Sequence, residues 1–334
     1  MIRARHFRLA SRFLAHRFQE LHPYEVQALL LNACNLKCSY CRCPEIKKPL
    51  MTTEQWRGII RGLAGLGTLR IKFQGGEPTL RGDFAELCAE AKRAGLLTAV
   101  VTNGLRVAEQ PALLTDLDEV VISLDAVTPA IHDRLRGEGS HAQAVRAIDL
   151  ARAGGRKTYV VMVVTQQNLS EIEPMLRFCE ERGVRLHAQP VLFGLQYSDE
   201  HGRSLGLTTE QVRLMHVKLS EWRREGRGLM FSAPVYEKVS GWADYGRLTM
   251  PSEGPSRCMA GKFYVHIEAD GDVWPCQQHG GPFIAKNIVR DGLEVALRNA
   301  QGHTCGDCFT AYLNERKALF DFKPAALLGM IGRG

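Results

Sequence analysis

Three cysteines near the start of the chain are spaced like the ligands of a metal cluster. Cys34, Cys38 and Cys41 follow a C-x3-C-x2-C pattern, so one loop can bring three thiolates together for an iron–sulfur cluster or zinc. Structural zinc and electron-transfer clusters normally take four protein ligands, whereas three leave one metal atom open to a small molecule. Cys43 is a candidate fourth ligand, but its C-x-C spacing from Cys41 places the sulfur awkwardly close. The triplet therefore predicts a cluster with one open iron.

Four cysteines near the other end of the chain form a second set. Two of them make a C-x2-C pair, and the full set is Cys258, Cys276, Cys305 and Cys308. Four thiolates predict a closed site, and their spacing alone fits a second four-iron cluster and a zinc ribbon equally well. Cys88 and Cys179 lie inside helical patterns beside Leu87 and Phe178, which indicates small buried hydrophobic residues.

The composition is that of a folded protein without a membrane-spanning segment. The chain has 334 residues, 45% of them hydrophobic, and a net charge of +7 that by itself selects no class of partner. No apolar run reaches the roughly 18 residues of a spanning helix. Grouped cysteines and the lack of a signal-peptide pattern argue against a secreted disulfide scaffold. We therefore expect a cytoplasmic protein with no nucleic-acid partner.

Short aliphatic or β-branched runs alternate with helical stretches over the N-terminal half of the chain, which predicts a parallel sheet with crossover helices. The predicted strands are 26–31, 69–73, 97–102, 119–124, 158–164 and 184–191. The predicted helices include 53–66, 83–94, 141–153 and 170–182. Six such repeats predict an α/β fold, a partial (β/α)6 TIM-like barrel.

Polar residues and glycines follow the predicted strands directly, at the edge of the sheet where such barrels place their reactive groups. The cysteine triplet follows the first strand, and the next three strands lead to Gly75, Gly76, Glu77, Asn103, Ser123 and Asp125. Glycines let backbone approach a ligand closely, and a carboxylate accepts hydrogen bonds from an ammonium. The two-residue spacing of Ser123 and Asp125 points both side chains the same way. Together these residues predict a site at one barrel mouth.

After residue 193 the βα rhythm stops, and the pattern predicts a small α+β domain. A helix is expected over 208–225, and a hairpin around Asp270-Gly271 delivers Cys276 to its far end. An amphipathic N-terminal helix with a basic face is expected to close the bottom of the barrel, or else to rest on a membrane surface. The predicted segments are an extension (1–25), the barrel (26–195), a helical connector (196–255), the cysteine domain (256–322) and an apolar tail (323–334).

The C-x3-C-x-aromatic-C triplet after a first strand, followed by a barrel, resembles the radical S-adenosylmethionine superfamily. The resemblance implies a [4Fe–4S] cluster on Cys34, Cys38 and Cys41, whose open iron binds S-adenosylmethionine for reductive cleavage to a 5′-deoxyadenosyl radical. It also implies an external one-electron donor such as flavodoxin or ferredoxin.

The same resemblance assigns contacts to the cosubstrate. Gly75-Gly76-Glu77 is similar to the family's GGE motif, which makes Glu77 the partner of the methionine amino group. Tyr40 corresponds to a residue that contacts the adenine, and Arg136 to one that meets the methionine carboxylate. Ser123 and Asp125 correspond to the position that reaches the ribose hydroxyls. Asn103 completes the predicted contacts.

The order of the second cysteine set, with Gly271-x4-Cys276 in the hairpin, resembles the auxiliary-cluster module called twitch, a shortened SPASM module. The resemblance favours a second [4Fe–4S] cluster over zinc. A fully ligated cluster stores or relays electrons, so we expect hydrogen abstraction from a substrate C–H bond followed by transfer of a second electron to this cluster. The alternatives are peptide modification, epimerisation or rearrangement with a thiol such as Cys43 as hydrogen donor, and a non-catalytic zinc or iron–sulfur module.

The substrate is the least constrained feature of the prediction. We expect a small polar molecule, with anionic and lipid-linked molecules and peripheral membrane contact as options. About 25 residues before the first strand are too few for a fused peptide-recognition domain, which weakens a ribosomal-peptide substrate. Candidate substrate contacts, without a ranking, are Thr165, His187, Gln189 and Tyr236.

Overall fold

Six parallel strands form a partial barrel in the computed structural model, which describes residues 23–193, 203–251, 258–279, 282–321 and 323–326. The strands are β1 (Glu25–Leu29), β2 (Arg70–Gln74), β3 (Leu97–Thr102), β4 (Glu119–Ser123), β5 (Lys157–Val164) and β6 (Arg185–Pro190). Neighbours in chain order are hydrogen-bonded neighbours in the sheet. Every predicted strand matches one of these to within two residues at each end, which confirms the predicted barrel.

Crossover helices connect the strands. They are α1 (Thr53–Gly65), α2 (Phe84–Arg93), α3 (Leu105–Glu109), α4 (Pro129–Arg136), α5 (Ser140–Ala153) and α6 (Ile172–Glu181). α1 begins after Thr52, whose side chain accepts a hydrogen bond from the Gln55 N–H, while the Gln55 side chain accepts one from the Thr52 N–H. This capping box fixes the start of the helix. Its inner face buries Trp56, Ile60 and Leu63 in the main core.

The strands divide their side chains between an apolar face and a polar face. On β2, Ile71 and Phe73 join the main hydrophobic core, whereas Arg70, Lys72 and Gln74 line the barrel interior. The period of two along a strand produces this division. Along β2 the interior of the barrel is therefore polar.

The C-terminal region of the chain joins the barrel sheet directly. β8 (Tyr264–Ile267) pairs in parallel with β1, and the antiparallel strands β9 (Asp272–Trp274) and β10 (Lys286–Asn287) follow, which gives a nine-stranded sheet. The predicted turn at Gly271 is present with φ 93°, a left-handed conformation that glycine adopts without strain. The expected second module is thus continuous with the barrel through the free edge of β1.

The remaining elements surround the open side of the barrel. They are β7 (Thr249–Pro251), β11 (Cys305–Cys308) and the helices α7 (Thr209–Arg224), α8 (Ala233–Ser240), α9 (Leu293–Gln301) and α10 (Ala311–Phe320). α7 confirms the helix predicted over 208–225. β7 pairs with β11, and α10 returns to the barrel, where Tyr312 and Arg316 contact Glu25 at the start of β1.

The two end segments of the prediction lie largely outside the described residues. The extension is described only over 23–25, and the apolar tail only over 323–326. Residues 194–195 of the predicted barrel and 196–202 and 252–255 of the connector also fall outside the described ranges. In the ranges that are described, no helix combines the length and the apolar character that a bilayer crossing requires.

Candidate active site

A cavity of about 340 Å³ lies at the carboxyl ends of the barrel strands and extends into the barrel. Cys34, Cys38 and Cys41 line it, and so does Cys276 of the second cysteine set. Most of the predicted cosubstrate contacts also line it, namely Tyr40, Gly75, Gly76, Asn103, Ser123 and Arg136. The fold therefore brings the first set of cysteines, the strand-end residues and one member of the second set to a common space.

The three thiols of the first set lie close enough to act on one another electrostatically. Burial is the main cause that raises the pKa of each, and it raises that of Cys38 to about 12. The other thiols of the set add to the rise for Cys34 and Cys38, because a thiolate nearby is a like charge. Iron removes this repulsion and displaces the thiol protons when it binds. Three half-buried soft ligands around one cavity fit an iron–sulfur cluster.

The four thiols of the second set also lie together. A hydrogen bond between Cys258 and Cys305 lowers the pKa of Cys258 to about 7 and raises that of Cys305. Cys276 and Cys308 are within the electrostatic reach of Cys258 and pack in one cluster with Tyr264. No three His, Cys, Asp or Glu side chains in the described ranges converge as closely as a single metal ion requires. A four-iron cluster places each cysteine on a different iron, so its ligands stand farther apart.

Gly75 and Gly76 lie where the backbone leading into the cysteine loop passes closest to β2. A Cβ atom on Gly75 would lie 2.4 Å from the Leu31 carbonyl oxygen, and one on Gly76 would lie 2.2 Å from that of Asn32. The Gly76 N–H donates to the Leu31 carbonyl at 2.8 Å. Side chains are therefore excluded here by the approach of two backbone segments, and the glycines hold the cysteine loop against the end of β2.

The Glu77 side chain is bonded to its own loop and to the end of β3. It is fully buried and accepts hydrogen bonds from the Thr79 hydroxyl (2.6 Å), the Thr102 hydroxyl (2.8 Å) and the Asn103 N–H (2.8 Å). Burial raises its pKa, although these hydrogen bonds oppose the rise. The carboxylate thus ties the loop after β2 to the end of β3. The contact between the Glu77 carboxylate and the methionine amino group stays a prediction.

Asp125 is the centre of a buried network. Its carboxylate accepts two hydrogen bonds from Arg136 (2.6 and 3.1 Å), one from the Tyr40 hydroxyl (2.6 Å) and one from the Val163 N–H (2.9 Å). Asp125 is fully buried and fixes Tyr40 and Arg136, which line the cavity. Its contact with the ribose hydroxyls stays a prediction. The Asp125 N–H donates to Nδ1 of His132 (3.0 Å), which gives that histidine a structural role.

Asn103 and Ser123 lie at the strand ends as predicted. The Asn103 amide donates to the side-chain oxygen of Asn35 in the cysteine loop (2.8 Å), and its own side-chain oxygen accepts from the Leu105 N–H (3.0 Å). Asn103 thereby links the end of β3 to the cysteine loop. Ser123 ends β4 and lines the cavity, so its contact with the ribose stays a prediction.

The three isolated cysteines all lie in apolar surroundings. Cys43 is 4% exposed, packs with Leu29 and Ala269, and accepts a hydrogen bond from the Asn32 amide. It packs against Cys41 but does not itself line the cavity, and its role as a hydrogen donor stays a prediction. Cys88 and Cys179 belong to the main hydrophobic core, as predicted.

Two of the four candidate substrate contacts line the cavity, and two do not. His187 and Gln189 on β6 face it. Thr165 is fully buried and hydrogen-bonded to the Asn168 side chain. Tyr236 is fully buried beside Phe231 in the core.

Reasoning from the sequence missed a polar floor beneath the cysteine loop. Gln27, Arg70 and Lys72 face the cavity from β1 and β2, and Tyr312 faces it from α10. The run R-I-K-F-Q in β2 contains a signal, because alternate polar residues in a buried strand indicate a polar interior. Tyr312 gives no such signal, since it bonds Lys72 from 240 residues away in the chain.

A partial barrel with three cysteines at its mouth and a four-cysteine domain on its edge is the architecture of the radical S-adenosylmethionine enzymes. Residues 29–179 match the family model described as "Radical SAM superfamily". The chain is 30% identical over 302 residues to a mycofactocin maturase of Mycobacterium tuberculosis, covering 84% of this chain and 74% of the relative. It is 28% identical over 298 residues to the PqqA peptide cyclase of Gluconobacter oxydans, covering 85% and 76%. The chain belongs to the radical S-adenosylmethionine superfamily.

Solved structures agree with the fold. SuiB of Streptococcus suis bound to its precursor peptide SuiA superposes with a TM-score of 0.67 at 17% identity, covering 94% of this chain and 77% of SuiB. The enzyme anSMEcpe with bound AdoMet superposes with a TM-score of 0.64 at 17% identity, covering 92% and 99%. The predicted SPASM/twitch-type architecture is confirmed. The cofactors are those of the superfamily, a [4Fe–4S] cluster with S-adenosylmethionine and an auxiliary cluster, and the chemistry is hydrogen-atom abstraction by a 5′-deoxyadenosyl radical.

Proposed function

We propose that this enzyme abstracts a hydrogen atom from a residue of a peptide substrate and completes a two-electron oxidation. The observation that supports the proposal is the single cavity lined by Cys34, Cys38 and Cys41 and also by Cys276. A substrate in this cavity meets the cysteine set that starts the radical reaction and the set that can receive an electron. An oxidation needs both, whereas an epimerisation also needs a hydrogen donor in the cavity, and Cys43 packs against Cys41 without lining the cavity.

A peptide replaces the small polar metabolite as the preferred substrate class. Two relatives are a mycofactocin maturase and a PqqA peptide cyclase, and the SuiB structure holds a precursor peptide. The cavity lining is compatible with this class, because it combines amides from Gln27 and Gln189 with apolar side chains from Val161 and Met230. Peptides present both kinds of surface to a binding site.

The two cysteine sets and the residues on the cosubstrate side of the cavity have different roles in the proposed reaction. When bound, the first cluster supplies the electron that cleaves S-adenosylmethionine, and the auxiliary cluster accepts the electron that the substrate radical loses together with a proton. Arg136 and Tyr40, held by Asp125, shape the cosubstrate side of the cavity. We place the enzyme in the cytoplasm, where a donor such as flavodoxin or ferredoxin can reduce the first cluster.

Metal content and cosubstrate cleavage test the assignment of the clusters. Anaerobically reconstituted protein should contain about eight irons per chain for two four-iron clusters. Reduction in the presence of S-adenosylmethionine should give 5′-deoxyadenosine. The Cys34→Ala variant should give none and should retain about four irons. Full cleavage by this variant would contradict the assignment of the first set, and zinc without sulfide in the wild type would contradict both sets.

Deuterium transfer tests the substrate class. The probes are pentapeptides with N-acetyl and C-terminal amide groups, each carrying one fully deuterated residue between alanines, and the corresponding free deuterated amino acids. Deuterium should appear in 5′-deoxyadenosine with at least one peptide and with none of the free amino acids. Transfer from the free amino acids alone would return the assignment to a small metabolite. Solvent deuterium in the product at the abstracted carbon would contradict oxidation and indicate epimerisation.

A further inference from the structure

The cavity continues past the cysteine loop to a floor built from three elements. Lys72 comes from β2, His187 from β6 and Tyr312 from the first turn of α10. All three side chains line the same cavity as Cys34, Cys38 and Cys41. The steps proposed above leave them without a role.

Lys72 has donors directed at the cavity. Its ammonium donates to the Tyr312 hydroxyl at 2.8 Å and lies 3.9 Å from the centre of that ring. The Tyr312 hydroxyl donates in turn to Glu25, whose nearer oxygen is 3.8 Å from the Lys72 nitrogen. Lys72 is 7% exposed. An ammonium carries three N–H groups, so within the described residues the bond to Tyr312 leaves two for a ligand.

The carboxylates beneath Lys72 make their closest ion pairs with arginines. Glu25 pairs with Arg70 at 2.6 Å and with Arg316 at 3.2 Å, and Arg70 also pairs with Glu119. Glu315 adds a third carboxylate, itself buried, whose charge acts on Arg316, and Lys72 makes only a long contact of 3.8 Å with Glu25. Burial and the repulsion of the two arginines lower the pKa of Lys72 to about 7, although Glu25 and Glu119 oppose this. A buried cation whose partner carboxylate is this distant is stabilised by an anion that binds directly against it.

His187 is an independent sign of a ligand. Its Nε2 atom has no hydrogen-bond partner among the described residues, although the residue is only 8% exposed. Phe231 packs against the ring edge to face, with centroids 4.7 Å apart, which holds its orientation. Burial lowers the pKa of His187 to about 3, so the ring is neutral at pH 7. An unpaired buried polar atom costs free energy, and a ligand oxygen that accepts from Nε2–H would remove that cost.

We propose that Lys72 and His187 form an anchoring subsite for a carboxylate group of the substrate, and that Tyr312 holds Lys72 in position. The inference rests on the proposed function, because it assigns the subsite to the peptide. A carboxylate carries the single negative charge that balances Lys72, and its two oxygens accept from the ammonium and from the imidazole. The carboxylate belongs either to the C-terminus of the peptide or to an aspartate or glutamate side chain.

Three peptides test whether the subsite binds a C-terminal carboxylate, an acidic side chain or neither. They are N-acetyl-AAAAA with a free C-terminus, N-acetyl-AAEAA amide and N-acetyl-AAQAA amide, which carries no carboxylate. Their affinities are measured by calorimetry on the reconstituted enzyme with S-adenosylmethionine bound. At least one acidic peptide should bind about tenfold more tightly than the AAQAA peptide, as expected for a charge-assisted pair. Equal affinities for all three would overturn the subsite.

Matched variants test whether Lys72 and His187 bind the carboxylate of the peptide. Lys72→Gln removes the charge but keeps a donor toward Tyr312, and it should reduce the affinity for the acidic peptide to that for the AAQAA peptide. His187→Phe should reduce it about threefold, because one neutral hydrogen bond is lost. Lys286→Met, at an exposed lysine of β10, should change nothing. Unchanged iron content shows that each variant is folded, and an unchanged preference in Lys72→Gln would overturn the proposal.

The same measurements separate this inference from the function on which it rests. If wild-type enzyme transfers deuterium from peptides but binds all three test peptides equally, the proposed function stands and the carboxylate subsite is wrong. If acidic peptides bind through Lys72 but no peptide yields deuterated 5′-deoxyadenosine, the subsite stands and the peptide reaction is wrong.

Discussion

The Asp125 carboxylate accepts hydrogen bonds from Arg136 and Tyr40, two side chains that line the cavity. Asp125→Asn removes the charge that pairs with the buried Arg136 and weakens the hold on Tyr40. We expect an unfolding free energy lower by about 3 kcal/mol, as for other broken buried ion pairs. We also expect the dissociation constant for S-adenosylmethionine to rise at least tenfold, measured by equilibrium dialysis of the reconstituted protein.

Asp133→Asn is the matched control for that change. Asp133 also accepts backbone hydrogen bonds, from the N–H groups of Gly139 and His141, but it does not line the cavity. The control should lose some stability and keep its affinity for S-adenosylmethionine. An Asp125→Asn protein with wild-type affinity would show that the network does not position the cosubstrate side of the cavity.

The pKa of Lys72, lowered to about 7, gives substrate binding a defined pH dependence. Only the protonated amine attracts a carboxylate, and the charged groups around it are Glu25, Glu119, Arg70 and Arg316. As pH rises from 6 to 8, Lys72 loses its proton, and the affinity for the acidic peptide should fall about tenfold. The affinity for the AAQAA peptide should stay constant. A flat profile for both peptides would show that Lys72 does not carry the recognition.

At the scale of elements, the contact between the end of β2 and the cysteine loop leaves no room for a side chain. Gly76→Ala would place a Cβ atom 2.2 Å from the Asn32 carbonyl oxygen, so the loop must move. We expect reconstituted protein to hold about four irons instead of about eight, because the first cluster is lost and the second is retained. Iron analysis and 5′-deoxyadenosine formation measure this.

Gly58→Ala provides the control within α1. A Cβ atom there meets no other atom within 4 Å, so only the backbone effect remains. Alanine favours the helix over glycine by up to about 1 kcal/mol, and the variant should be as stable as the wild type or more stable, with full iron content. Equal iron loss in both variants would mean that the close approach at Gly76 is not what holds the loop.

The sequence predicted the elements well because their signals are local. Each barrel strand is a short apolar run whose ends are marked within a few residues, and the cysteine spacing is itself a local pattern. The direction of a side chain at a strand end is not local. Glu77 and Asp125 follow β2 and β4, as predicted, and their carboxylates bond to Thr102 and Arg136, which lie on other elements. A single sequence contains no signal that separates an inward carboxylate from one that faces a ligand.

Contacts between distant segments of the chain also could not be predicted from the sequence. β8 pairs with the free edge of β1, and α10 brings Tyr312 and Arg316 to Glu25, about 290 residues away. Neither contact can be predicted from periodicity, because the pattern of each segment shows which face is buried but not which distant segment packs against it. These contacts bring Tyr312 to the floor of the cavity, which explains why this tyrosine was missed, whereas Lys72 lies in the local pattern of β2.

At the scale of the whole molecule, these long-range contacts join the barrel and the C-terminal region, and we expect the two to unfold as one cooperative unit. Arg316 on α10 is the counter-charge that the C-terminal region provides to Glu25, and both side chains are buried. The pair holds the pKa of Glu25 at about 2, against the cost of burial. Arg316→Gln should therefore lower the unfolding free energy by about 3 kcal/mol, and cluster absorbance and tryptophan fluorescence should change together in one earlier denaturant transition.

Lys317→Gln is the neighbouring control, because Lys317 pairs with Asp321 at a partly exposed site. Surface pairs contribute about 0–1 kcal/mol, so this variant should unfold within about 1 kcal/mol of the wild type. If Arg316→Gln instead separates an early transition of the C-terminal region from an unchanged barrel, the Glu25 pair does not couple the two. A single shared transition means that loss of the second cysteine set and loss of the cavity floor occur together, because the same helix supports both.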